Sequence, residues 1–132
     1  MDLMDLKPKS DVVVTTLTHP NTGEVLTNDS GTDMTITVYA NHSKEYKAAL
    51  HKQQDKRIAA VQKGNESNIS SAQLEKDVIT LLATITKEWD ITYNKETPKL
   101  NEATAKSLYE DVFWLKDQVE SALNTNLVFT TA

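Results

Sequence analysis

The side chains with catalytic or metal-binding potential are few and scattered. His19, His42 and His51 fall in a turn, a loop and a basic helix. None belongs to a His-x-x-x-His pair or another local spacing that would aim two imidazoles at one metal from a helical face. The absence of cysteine removes thiolate zinc sites, disulfides and cysteine nucleophiles. The 3 glycines, Gly23, Gly31 and Gly64, cannot build a Walker phosphate loop or a Gly-x-Gly-x-x-Gly dinucleotide turn. Adjacent carboxylates such as Glu110-Asp111 point to different faces of a helix, whereas paired carboxylate chemistry needs both groups aimed at one substrate. They read as solvated helix charges. The expectation is a protein that is not an enzyme and that carries no cofactor and no metal.

Binding chemistry is better represented. Val112, Phe113, Trp114 and Leu115 form an apolar arc wider than a simple amphipathic face needs. Either these aromatics pack under the loop at 90–100, or they form an exposed patch for a partner; large amphipathic rings concentrate binding energy in such patches. Leu127-Val128-Phe129 adds an apolar tail, so Phe129 joins them as a candidate contact. Charge is segregated. The net charge of −5 lies wholly in residues 65–132, while residues 43–63 carry six bases, among them Lys52, Lys56 and Arg57, against Glu45 and Asp55. That basic segment reads as a solvated helix face, or as one half of a head-to-tail electrostatic contact with the acidic half of a second copy. Nucleic acid is a weaker reading, because no aromatic is interleaved among the bases after Tyr46.

These residues must be positioned by a small scaffold. At 132 residues and 14.7 kDa the chain suits one domain with one modest core. The expected class is α+β: short N-terminal antiparallel strands at about 12–39, then a mainly helical C-terminal part of about four helices. Residues 1–11 read as a flexible leader and 12–132 as a single domain. β-Branched runs predict strands at Val12–Thr18, Glu24–Thr27 and Met34–Tyr39, separated by the turn clusters His19–Gly23 and Asn28–Asp33. Ser43 predicts a helix N-cap, with the helix running to about Lys63 and stopped by Gly64. After a polar linker, Ser70-x-x-Gln73 has capping-box spacing. Leu74, Val78, Leu81, Leu82, Ile85 and Trp89 then recur at helical intervals, which assigns Trp89 to the core. Asp90 to Lys99 reads as a loop. Asn101 caps a short helix containing Ala105, Leu108 and Tyr109, and a final helix carries Val112, Leu115, Val119, Ala122 and Leu123. The N-terminus lacks the basic opening and apolar stretch of a signal peptide, and no apolar run approaches a membrane span. An unexported chain without membrane contact is expected, and four Asn-x-Ser matches, at Asn28, Asn41, Asn65 and Asn68, carry no functional weight.

The order of these elements resembles the tail assembly chaperones of long, non-contractile-tailed bacteriophages and related prophages. The resemblance rests on Ile36-Thr37-Val38-Tyr39 followed by Ser43-Lys44-Glu45-Tyr46-Lys47-Ala48-Ala49. It continues through Leu82-Ala83 and Ile85 to Trp89, then Leu108-Tyr109-Glu110-Asp111, Gln118-Val119 and the terminal aromatic Phe129, spanning roughly residues 12–129. The ordered set carries it rather than any single motif. It implies a non-enzymatic protein of the host cytoplasm that binds and solubilises the tape measure protein, helps recruit tail tube subunits, self-associates, and is absent from the mature virion. Many such proteins also exist in a longer, frameshifted form, and this chain would match the short one. The competing expectations are a structural tail or head-to-tail connector retained in the virion and, third, a small nucleic-acid-binding regulator.

Overall fold

The computed structural model describes residues 2–6, 10–62 and 70–125. Two β-branched runs pair first: β1 (Val12–Thr16) lies antiparallel to β2 (Thr35–Tyr39), with Val12 opposite Tyr39 and Thr16 opposite Thr35. The segment between them is not a full strand. Residues expected as a strand at 24–27 contribute only the isolated bridges Thr18↔Val25 and Thr27↔Asp33. The reason is a closed ring of three backbone hydrogen bonds: Leu17 N–H to Met34 O (2.9 Å), Met34 N–H to Leu26 O (2.8 Å) and Leu26 N–H to Leu17 O (2.9 Å). With tight turns on either side, at Gly23 (φ 76°) and Gly31 (φ 87°), the ring leaves no length for a ladder.

The third strand comes from the helical half. The sheet order is β1-β2-β3, where β3 is Thr86–Asp90 and follows α2 (Ser71–Ile85) without a loop. The helix expected to reach Trp89 therefore ends four residues earlier. At Thr86 the backbone turns extended (φ −72°, ψ 114°) and the hydroxyl donates to Leu82 O at 2.6 Å, closing the last helical turn. Trp89 then faces the core from a strand, opposite Ile36, and its indole N–H donates to Pro98 O at 2.9 Å. Its spacing from Ile85 fits a helix. The open peptide groups of β2 decide for the sheet instead.

Ser43 caps α1 (Lys44–Gln62) as its sequence predicts: its buried hydroxyl accepts from Tyr46 N–H at 3.1 Å, and its carbonyl from Lys47 N–H. The expected helix stop at Gly64 lies outside the described residues. Polar groups help to moor the thin apolar face of α1 to α2, with Gln53 donating to Asp77 O (2.6 Å) and the Arg57 guanidinium meeting the Asp77 carboxylate at 2.5 Å. That guanidinium hydrogen bond holds the Asp77 carboxyl below its ordinary pKa, against the opposing effect of partial burial. Ser70 caps α2 by accepting from Gln73 N–H, but the Gln73 side chain turns to Asp77 rather than back to Ser70, so the reciprocal half of the capping box is replaced. The buried face of α2 is Ile79, Leu82, Ala83 and Ile85, and Leu74 is 44% exposed.

Asn101 caps α3 (Glu102–Asp111), its side-chain oxygen accepting from Thr104 N–H at 2.8 Å. Asn101→Ala is expected to cost about 1 kcal/mol in a urea unfolding titration, the usual worth of such a cap. Val112 (φ −110°, ψ 78°) breaks the helical path, and α4 (Phe113–Thr125) leaves at an angle that buries Leu115, Val119, Ala122 and Leu123. The helices cover one face of the sheet, where Val13, Leu17, Ile36 and Val38 supply the apolar side of the core. Of the leader, Leu3–Leu6 form one 3-10 turn, Asp11 O accepts from Ala40 N–H, and residues 1 and 7–9 lie outside the described set.

Candidate functional site

The α3–α4 elbow divides the apolar arc between two sides. Val112, Trp114 and Leu115 turn toward the sheet and, with Leu17, Leu26, Met34, Ile91, Thr92, Tyr93 and Leu108, enclose a cleft of about 190 Å³. Phe113 turns the other way and is 74% exposed. It borders a separate hollow of about 320 Å³ with Glu75, Lys76, Glu110 and Lys116 on its rim. Of the two rings, Trp114 is partly buried and lines the cleft with residues 91–93, while Phe113 is exposed. Leu115, expected as a contact, is a core residue whose side chain only floors the cleft. Phe129 lies outside the described residues.

Long-range hydrogen bonds hold the cleft walls in place. Asn28 is buried at the base of its turn; its amide nitrogen lies within 3.1–3.4 Å of oxygens from Thr32, Asp33 and Asp90, and its carbonyl oxygen accepts from Thr92 Oγ1 at 2.9 Å. This clamp ties the 28–33 turn to the end of β3 and sets Leu26 and Met34 opposite Ile91. A two-residue left-handed turn at Asn94 (φ 55°) and Lys95 (φ 67°) folds Tyr93 back onto Glu96, and the Tyr93 hydroxyl reaches Asp111 at 3.5 Å. Leu17, Leu26, Met34, Ile91 and Tyr93 had no local signal of a shared site, since they come from four separated segments.

The basic candidates do not act as one group. Lys52 and Lys56 are exposed on α1, whereas Arg57 is taken up by Asp77. Arg57→Glu is therefore expected to detach part of α1 from α2 and cost about 1 kcal/mol, while reversing Lys52 and Lys56 stays within about 0.5 kcal/mol; urea unfolding of both variants measures the difference. His19 serves its own turn, with Nδ1 accepting from Asn21 and Thr22 N–H, and His42 lies 3.4 Å from Asp11. Among the described residues no group of three or more His, Asp or Glu converges as a metal would require, and no helix is long and apolar enough to cross a membrane.

Fold and cleft together define a small α+β protein with an apolar groove at a helix elbow. No family model matches the chain, and no curated protein or solved structure matches it.

Proposed function

We propose that this chain is a tail assembly chaperone of a long-tailed bacteriophage or prophage, which binds and solubilises the tape measure protein while the tail is built. The observation that carries the reading is the pairing of an apolar cleft, walled by Trp114 and Val112, with the exposed ring of Phe113 on the same elbow. A cavity of about 150 Å³ accepts a benzene ring, so the cleft has room for one large apolar side chain of a client. A helix laid along the elbow presents such side chains at regular intervals, which is the groove mode of helix recognition. Weak single-side-chain sites gain strength when many chaperone copies line one long client.

The protein acts without turnover, in the host cytoplasm, helps bring tail tube subunits to the client, and leaves before the virion is complete. Co-expression with the tape measure protein tests the reading. Soluble client is expected to rise with the wild-type chain, to fall with Trp114→Ala and Phe113→Ala, and to stay high with Lys95→Ala, once circular dichroism shows each variant folded. Equal client solubility with and without the wild-type chain would sink the chaperone role. Mass spectrometry of purified virions separates it from a retained structural tail protein, whose peptides would be present.

A further inference from the structure

The charge around the apolar cleft is one-sided. Its lining comes from the stretch 17–34, from the end of β3 and the turn beyond it (90–96), and from the elbow (108–115). Together these carry seven carboxylates and one base, Lys95, and no lysine or arginine occurs between Lys9 and Lys44. Four of the acids adjoin the opening. Asp33 and Asp111 directly precede the lining residues Met34 and Val112, Asp29 N–H donates to Thr92 Oγ1 at 3.4 Å, and Glu96 exchanges backbone hydrogen bonds with Tyr93. All four are exposed, and among the described residues none forms an ion pair. Asp90 differs, because its carboxylate accepts from Asn28 and Thr32 and so belongs to the clamp. The cleft is thus an apolar hollow with an acidic rim that no internal base neutralises.

We infer that the cleft takes a basic amphipathic helix, one that inserts a large apolar side chain and sets lysines or arginines a turn to either side against Asp29, Asp33, Glu96 and Asp111. This rests on the reading of the cleft as the client site and adds the client's chemistry. The hollow, at about 190 Å³, holds one ring or branched side chain at a time. Charge then selects among the helices that could supply it. A neutral helix would draw the rim carboxylates out of water with nothing in return, and an acidic one would be repelled. Bases three or four positions from the inserted residue share its face of the helix, and their flexible stems reach outward past the apolar contact to the rim. The basic helix of a second copy does not offer this pattern. Ile58 is the large apolar side chain that α1 exposes, and Lys52 and Lys56 stand six and two positions before it, away from its face.

A pair of synthetic peptides of about 20 residues, long enough to form a helix, tests it. Both carry the same leucine stripe; one has lysines and the other glutamates a turn from each leucine. Titration into the wild-type chain, followed by residue-resolved amide shifts, reads both affinity and place. The lysine peptide is expected to shift the Thr92, Tyr93 and Val112 amides, and the glutamate peptide to bind at least about tenfold more weakly. That difference is expected to shrink as salt rises from about 50 to about 500 mM. The combined variant Asp33→Asn, Glu96→Gln, Asp111→Asn is expected to lose about tenfold in lysine-peptide affinity, whereas Asp55→Asn on α1 loses nothing. Equal affinity of the two peptides overturns the inference, as does binding by neither, or lysine-peptide shifts away from the cleft. An unchanged affinity in the combined variant does the same. Self-association of the chain that disappears in that variant would seat a second copy on the rim, and equally overturns it. The chaperone reading fails separately: a client solubilised in co-expression together with equal peptide affinities leaves that reading standing and sinks this one, while lysine-peptide binding at the cleft without client rescue does the reverse.

Discussion

Leu82→Ala is expected to lower the unfolding free energy by about 2–5 kcal/mol, the largest effect of any single truncation considered, read as a drop in the urea midpoint at unchanged slope. The side chain is 2% exposed and sits in the middle of the buried face of α2, between Ile79 and Ile85. Its removal leaves a hole next to the two neighbours that fix the helix end. The Leu82 carbonyl accepts from the Thr86 hydroxyl, and Thr86 in turn begins β3. A shifted α2 therefore carries the third strand with it, which limits how far the core can collapse around the hole. Leu74→Ala is the matched control. Leu74 belongs to the same sequence stripe, but it is largely solvated, and its truncation is expected to cost under about 1 kcal/mol. Equal losses at the two positions would mean that α2 buries the face its sequence suggests rather than the one rotated toward Ile79.

The second large effect is alkaline. Tyr109 is buried on α3, and its hydroxyl meets Thr86 Oγ1 at 2.9 Å. Burial raises the phenol to about 12, an effect the Thr86 bond only partly offsets. The unfolded chain loses this proton near 10, so from there upward the unfolded state binds fewer protons and stability falls with pH. The loss attributable to Tyr109 levels off above the folded value, at about 3 kcal/mol. Tyr109→Phe isolates it from the lysines and other tyrosines that titrate in the same range. At neutral pH the variant is expected to be about 0.5–1.5 kcal/mol less stable, for the lost hydrogen bond. Above pH 11 the order is expected to reverse. Parallel stability curves for the two proteins from neutral pH to 12 would show that Tyr109 does not couple ionisation to folding.

Thr86 links these two results and also marks the place where sequence reading and structure part. Signals that act within a few residues were legible. The β-branched runs became β1 and β2; Ser43, Ser70 and Asn101 cap the helices they precede; and the apolar positions of the last helix, from Leu115 to Leu123, are the buried ones. Each depends on a hydrogen bond or a periodicity contained in its own segment. Thr86–Asp90 was not legible in this way, because its apolar spacing suits a helix and its strand state needs a partner, the free side of β2, some fifty residues earlier. The same holds for 24–27, where β-branched character was present but a three-way ring of backbone bonds limited it to bridges.

The binding features divide along the same line. That Val112, Phe113, Trp114 and Leu115 exceed what one amphipathic face can bury was readable from composition alone. Which ring is exposed was not, since the break at Val112 sets the direction of α4, and a rotation of one helical position would exchange Phe113 for Trp114. Arg57 looked like Lys52 and Lys56 until α2 brought Asp77 against it. The cleft itself exists only once residues 17 to 34, 91 to 93 and 108 to 115 are in contact. Short-range chemistry settles helix starts and strand propensity; cavities, edges and charge pairs are properties of surfaces that meet only after the chain has folded, and those decide what this protein can bind.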